Sequence, residues 1–377
     1  MKVTFVDLQA QYNALKTEID ANIKQVLDHG QYIMGPEVGE LEDRLADFVG
    51  VKHCITVSSG TDALLLALMG LEIGIGDEVI TSPFTFVATA EVIAFLGAKP
   101  VFVDIDPQTF NIDPKLIEEK ISARTRDIIP VSLYGLPADM DTINDIAKRH
   151  DIPVIEDAAQ SFGADYKGKK SCGLSTVGCT SFFPSKPLGC YGDGGAMFTN
   201  DDDLAKRFRN LRIHGQPSRY YHSEIGIAGR MDTLQSAVVL AKLKTFPQEL
   251  VSRKKIARRY VSELTNSVSP ELDGRAPAFT VPKAAQQPGS VFAQFTIQSE
   301  ERDALKEHLG AHSIPTAIHY PVPLNEQPAY EKFCCIDCTP NARAAAQTVL
   351  SLPLSPYMLD DHQSQVITAL KAFSHRD

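Results

Sequence analysis

Between residues 53 and 212, short apolar runs alternate with helix-length amphipathic segments, and no other feature restricts the fold so tightly. Strands are predicted at 53–57, 78–81, 100–104, 127–132, 152–156, 180–183 and 195–199, from their length, their Val, Ile and Phe content and the turn residues that bound them. Helices are predicted at 63–69, 87–96, 114–121, 141–149 and 201–212. Strands joined through helices return in the same direction, so the order predicts an α/β fold with a mostly parallel sheet covered on both faces. Ligands of such sheets gather at the carboxyl ends of the strands. Residues 59–61, 83–86, 157–160 and 181–186 fall there.

Two helices precede the alternation. Leu15, Ile19, Ile23, Val26 and Leu27 share one face over 8–28, with Gly30 past the last turn, and Pro36 opens a second helix along Val38, Leu41, Leu45 and Phe48. After residue 213 the pattern changes. Residues 231–243 read as an apolar helix that continues through Arg253, Lys254, Lys255, Arg258 and Arg259, a basic run taken as a solvated face. Residues 266–290 read as loops. A strand at 291–297, a helix at 300–309, a strand at 316–320, a Pro-rich loop at 321–328 and two final helices predict a small α+β unit. The boundary is placed near 246, giving a large domain over 1–245 and a small one over 246–377.

A net charge of -10 argues against nucleic acid as the main partner. No apolar run reaches the length of a membrane span, and the first residues carry no leader pattern, so a cytoplasmic protein is expected. Seven scattered cysteines suit reduced thiols. Cys334, Cys335 and Cys338 cluster, but no second Cys-x-x-Cys pair or nearby histidine completes four ligands, so no metal is expected. The Gly70-x-x-x-Gly74-x-Gly76 run follows a helix and precedes a strand, the reverse of a dinucleotide fingerprint, and reads as a helix-to-strand connection.

Three stretches carry chemistry. Lys186 sits between Pro184 and Pro187, after Phe182-Phe183 and before a glycine run. A lysine held in an apolar turn has its charged form disfavoured, which frees a nucleophilic amine suited to a Schiff base. The plainer alternative is a surface turn whose lysine reaches water. Val154-Ile-Glu156-Asp157-Ala-Ala-Gln160-Ser161 ends an apolar strand in two carboxylates followed by small residues. There Asp157 can either stabilise a protonated ring nitrogen or cap the next helix. Ser58-Ser59-Gly60-Thr61-Asp62 leads a strand into a helix whose first amides and dipole suit a phosphate, or simply forms an N-cap.

Together these stretches resemble the DegT/StrS group of sugar aminotransferases, fold-type-I pyridoxal-phosphate (PLP) enzymes. The resemblance runs through Phe-Val-Asp-Leu near the start, Gly35-Pro36-Glu37-Val38, Ser59 to Leu64, Gly76 to Ile80, Pro83 to Thr89, Pro100 to Asp104, Glu156 to Ser161, the lysine stretch, Gly192 to Gly195, Arg230-Met231 and His319-Tyr320-Pro321. It implies a seven-stranded-type sheet in the large domain and a homodimer with active sites at the subunit interface. Lys186 would hold the cofactor and shuttle the proton. Asp157 would pair with the pyridinium nitrogen, Gln160 with the ring hydroxyl, and Phe86 would stack on the ring. Gly60, Thr61, Asp62 and Ser181 would hold the phosphate.

Gly30-Gln-Tyr32-Ile, the run from Thr180 to Tyr191 and His319 to Pro328 resemble the branch that aminates a UDP-linked 3-oxo uronate for surface polysaccharide such as O-antigen. On that likeness Gly30, Tyr32, Ser185, Arg230, His319 and Tyr320 would line the sugar-nucleotide site, with glutamate as amino donor. Amination at C4 of another keto sugar, a dehydratase and a non-catalytic sugar-nucleotide binder are the alternatives. One departure stands out. Members usually carry Gly-x-Asn-x-Arg, whose asparagine reaches the neighbouring subunit's cofactor phosphate; here the run is Gly226-Ile-Ala228-Gly-Arg230. Ala228 cannot donate that bond, a loss of about 1.5–3 kcal/mol unless water substitutes.

Overall fold

The computed structural model describes residues 3–265, 278–287, 289–334 and 336–374. Helices α1 (Leu8–His29) and α2 (Pro36–Val49) each end on a glycine in the left-handed conformation, Gly30 and Gly50, and Pro36 starts α2 where a missing N–H costs nothing. The alternation then follows as β1 (His53–Val57), α3 (Gly60–Gly70), β2 (Glu78–Thr81), α4 (Ala88–Phe95), β3 (Lys99–Phe102), β4 (Thr125–Ile129), α5 (Met140–Arg149) and β5 (Ile155–Asp157). A short hairpin, β6 (Asp165–Tyr166) with β7 (Lys169–Lys170), precedes β8 (Val177–Ser181), β9 (Gly195–Thr199) and α6 (Asp202–Leu211).

Parallel bridges Ile128↔Val154 and Val131↔Asp157 join β4 to β5, so the main sheet runs β1-β9-β8-β5-β4-β2-β3. Only β9 opposes its neighbours; the other pairs in the sheet are parallel. Side chains alternate across the pleat. Cys54 and Phe198 face a core with Leu41, Leu45, Phe162 and Phe246, whereas Ile55 and Met197 face one with Leu64, Leu68, Ile93 and Phe208. The expected seven-stranded α/β sheet is present.

Beyond it lie α7 (Thr233–Leu243), α8 (Phe246–Thr265), β10 (Phe295–Gln298), α9 (Arg302–Ala311), α10 (Pro340–Thr348), β11 (Val349–Leu352) and α11 (Asp360–Ser374). Tyr260, Phe295, Leu305, Leu350, Val366 and Leu370 form a separate core, which Val3 joins from the start of the chain. Helix α8 serves both units: Phe246 and Leu250 pack beside Phe162, and Tyr260 and Leu264 pack in the second core.

Several expectations are corrected. Residues 114–121 form two 3-10 turns, Pro114–Leu116 and Glu118–Lys120. The apolar helix expected from 231 starts at Thr233 and breaks after Leu243. The strand expected at 316–320 reduces to one bridge, Ala317↔Ser351. Cys338 is disulfide-bonded, not a reduced thiol. Cys335 and most of the 266–290 segment, residues 266–277 and 288, lie outside the described residues.

Candidate active site

The end of β5 separates its two carboxylates. The pleat sends Glu156 and Asp157 to opposite faces. Glu156 accepts from Ser132 Oγ (2.8 Å), Ser171 Oγ (2.6 Å) and the Cys172 amide (2.7 Å), so it is a satisfied interior group. Asp157 sits at the carboxyl end of the strand, where Oδ2 accepts from Thr89 Oγ1 (2.7 Å) and Oδ1 from the Ala159 amide (3.1 Å). Burial pushes its carboxyl above the ordinary aspartate range, opposed by those two bonds and by the charge of Lys186.

Lys186 reaches the same place from β8. Its amide donates to Phe183 O (2.9 Å), and the turn is closed where Phe182 N–H meets Gly194 O and Cys190 N–H meets Phe182 O, each at 2.7 Å. Burial lowers the proton affinity of the Lys186 amine, and the nearby Asp157 carboxylate works against that shift. An amine of lowered proton affinity therefore lies close to a buried carboxyl.

His319 and Tyr320 come from the second unit, joined by a cis peptide bond. Tyr320 Oη accepts from Gln160 Nε2 (3.2 Å), while Gln160 Oε1 accepts from the Tyr134 amide (2.9 Å). The Tyr134 hydroxyl donates to the His319 carbonyl. His319 Nδ1 bonds Ser351 Oγ at 2.9 Å. Burial, helped by the positive charge of Lys186, pulls the imidazole down to about 4, so the ring is neutral at pH 7. Burial and Asp157 hold the Tyr320 phenol above its usual value, so it too is neutral.

Beside this cluster stands the start of α3. Ser59 Oγ accepts from the Asp62 amide (3.0 Å), so that amide is engaged. The Gly60 and Thr61 amides belong to the first turn and have no partner within the helix. A Cβ on Gly60 would lie 2.6 Å from Ser181 Cβ, and one on Gly195 would lie 2.5 Å from Ser59 O. Both glycines let the strand ends close on α3. Ser181 Oγ accepts from the Phe183 amide (3.2 Å), and its own O–H remains a donor. Phe86 leaves 54% of its surface open.

Lys186, Asp157, Gln160, Ser181, Gly60, His319 and Tyr320 are thus brought together. Arg230 is led to the same edge, because Gly229 O accepts from Ser58 N–H (2.9 Å) and Gly229 N–H donates to Arg212 O (2.9 Å). Tyr32 is tied to that segment by its carbonyl, which accepts from the Thr233 amide (3.0 Å), and its ring stands exposed. Gly30 and Ser185 lie at the surface. Thr89 and Tyr134 were missed as site residues. Tyr134 follows the carboxyl end of β4, a position the strand-end rule marks. Among the described residues no group of three or more His, Cys, Asp or Glu is arranged to hold a metal. Nor, among them, is any helix long and apolar enough to cross a membrane.

A family model, DegT/DnrJ/EryC1/StrS aminotransferase family, matches residues 13–371. The chain belongs to this family. It is 54% identical over 369 residues to the UDP-2-acetamido-2-deoxy-3-oxo-D-glucuronate aminotransferase of Pseudomonas aeruginosa, spanning 97% of this chain and 99% of that one. It superposes with a TM-score of 0.95 and 40% identity on Streptomyces venezuelae DesV in complex with a ketimine intermediate, covering 100% of this chain and 99% of that one. Against Bacillus subtilis NtdA with bound cofactor PMP the TM-score is 0.91 at 30% identity, covering 100% of this chain and 86% of that one.

Proposed function

We propose that this aminotransferase uses PLP to aminate C3 of UDP-2-acetamido-2-deoxy-3-oxo-D-glucuronate, with glutamate as donor, in the synthesis of surface polysaccharide such as O-antigen. The observation that carries the reading is the Lys186 amine, its proton affinity lowered by burial, facing buried Asp157 beside the open first turn of α3. The 54% identity to the Pseudomonas enzyme supports the substrate.

The residues fit PLP. Asp157 is buried with two neutral donors, so a cationic ring nitrogen would complete its bonding. Gly60 and Gly195 leave no side chain between the α3 amides and Ser181, where a phosphate would sit. When bound, PLP supplies the electron sink for proton transfer at the amine-bearing carbon. Lys186 Nζ would hold the cofactor and, once displaced from it by the amino substrate, would take and return that proton. Asp157 would keep the ring nitrogen protonated, and Thr89 would fix the carboxylate that does so. Gln160 would bind the ring hydroxyl, Phe86 would cover a ring face and exclude water, and Gly60, Thr61 and Ser181 would hold the phosphate, whereas the Asp62 amide is already spent on Ser59 Oγ. Arg230 pairs with the uronate carboxylate through a two-pronged contact. Gly30, Tyr32, Ser185, neutral His319 and Tyr320 line the nucleotide-sugar site with hydrogen bonds and no added charge.

The reading includes a homodimer in the cytoplasm. Leu27, Tyr32, Ile33, Met34 and Phe183 are exposed large apolar residues, a composition suited to a partner subunit. Ala228 is exposed and would leave one cross-subunit phosphate bond unmade. Two experiments test the proposal. Borohydride reduction of the protein with PLP, followed by peptide mapping, is expected to label Lys186, and Lys186→Ala to abolish both labelling and turnover; a label elsewhere overturns the mechanism. Labelled glutamate with 3-keto and 4-keto UDP-sugars is expected to give a 3-amino product, and transfer to the 4-keto sugar alone overturns the substrate.

A further inference from the structure

A buried lysine stands beneath the Lys186 loop. Lys242, near the end of α7, is 1% exposed, and its ammonium donates to the Gly189 carbonyl at 2.6 Å. The Tyr191 ring covers it at 4.2 Å. Tyr191 is itself held by α7, since its amide donates to Gln235 Oε1 (2.8 Å). Gln235 and Lys242 lie two turns apart on one face of α7, so one helix grips the return arm of the loop at two points. Gly189 packs closely on the outgoing arm of the loop, where a Cβ would lie 2.6 Å from Pro184 O and 2.7 Å from Phe183 O. The first turn of α7 also accepts the Gly35 amide on Thr233 Oγ1 (3.1 Å) and donates to Tyr32 O. One rod therefore joins the Tyr32 segment to the Lys186 loop.

We propose that Lys242 is a positioning residue for Lys186: through the Gly189 carbonyl it locks the 183–192 loop in the shape that presents Lys186 to Asp157. The inference rests on Lys186 being the cofactor lysine. A buried ammonium is costly unless hydrogen-bonded and paired, and an apolar side chain would fill the same volume without that cost. Here the carbonyl and the ring face compensate it. The other charged group near it is Glu249 on α8, which accepts from Gln11 Nε2 and the Tyr357 hydroxyl. Burial lowers the Lys242 ammonium to about 8, with Glu249 and the Cys190 thiol opposing the shift. The rival role is therefore mere balance of Glu249, and it places the effect elsewhere. Losing Lys242 would then loosen α1 and Tyr357, and the loop would stay put.

The test is hydrogen exchange on the cofactor-free protein, comparing native, Lys242→Met and Lys242→Arg. Lys242→Met is expected to speed exchange of the Lys186 and Cys190 amides by about tenfold or more, with β8, β9 and α1 unchanged, and Lys242→Arg to restore most of the protection. Covalent capture of added PLP at Lys186, followed by absorbance, is expected to slow by a similar factor. Loop exchange at the native rate, or equal acceleration in α1, overturns the proposal. If Lys242→Met does not fold, Tyr191→Leu at the half-exposed ring is expected to give a smaller acceleration of the same two amides, and native rates there overturn it. Faster loop exchange with no PLP capture in any variant, native included, would sink the cofactor reading and leave the loop role standing.

Discussion

His319 shows how one side chain can serve the site and tune stability. An unfolded chain titrates histidine near 6.5, whereas burial and the Lys186 charge hold His319 at about 4. Between those values the unfolded state binds the extra proton. The stability carried by neutral His319 is therefore full above the unfolded value and is lost as pH falls through the folded one. The loss is at most about 3 kcal/mol, and smaller because solvent reaches part of the ring. His319→Gln keeps a bond to Ser351 Oγ and removes the titration. Urea unfolding from about pH 7 down to about pH 4 is expected to show a shallower loss in the variant; parallel losses would refute the assignment. At this scale the sequence was informative where residue type and position coincide. Lys186 between prolines and Asp157 at a strand end were legible. The distinction between Glu156 and Asp157 followed only from the pleat. Thr89 and Tyr134 act through single bonds that depend on which loops meet, and no local pattern records that.

At the scale of elements, α3 and β8 must approach closely for their ends to share an anion. Gly60 permits this, with its missing side chain 2.6 Å from Ser181 Cβ and 3.1 Å from Ser181 Oγ. Gly60→Ala is expected to cost about 1–3 kcal/mol and to weaken PLP binding, because the strand or the helix start must shift. Gly39, inside α2 with open space around its Cα, is the contrasting site. Gly39→Ala is expected to stabilise by about 0.5–1 kcal/mol and leave PLP binding unchanged. Thermal melts and a PLP titration by absorbance check both, and equal effects would mean that the contact with Ser181 does not matter. Long periodic elements were legible in the sequence, α1 and α2 to within a residue or two. The break between α7 and α8 was written in Pro247, which has no N–H to continue a helix and suits the start of the next. The 114–121 segment has the apolar spacing of a helix but is too short for a helical nucleus to gain much, and it settles into 3-10 turns. β11 follows α10 without a turn, so no punctuation marked it.

For the whole molecule, the decisive fact is that Asp157 ends a strand of the large sheet and Lys186 follows another, while His319 and Tyr320 arrive from the chain beyond it. Sequence pattern pointed to the mostly parallel sheet, because that follows from local periodicity. It could not give the contacts that fix one unit on the other, which join residues more than two hundred positions apart. Asp104, just past β3, makes the clearest of these. Its Oδ2 accepts from the Asn341 amide and its Oδ1 from the Ala342 amide, each at 2.9 Å, and Asn341 Nδ2 returns a bond to Ile105 O at 3.0 Å. Thr339, the residue before α10, makes no side-chain cap, so Asp104 caps that helix from across the junction. Helix α10 runs straight into β11, whose Ser351 holds His319. Removing the cap should therefore be felt at the sugar end of the site before the cofactor end. Asp104→Ala is expected to lower stability by about 1–2 kcal/mol. In single-turnover measurements it should slow the half-reaction with the keto-sugar and leave the half-reaction with glutamate, and PLP binding, close to native. Lys186, Asp157, Gly60 and Ser181 do not depend on α10, whereas the orientation of His319 does. Equal slowing of both half-reactions would mean that the junction supports the site as one body, and Asp104 would then be an ordinary helix cap.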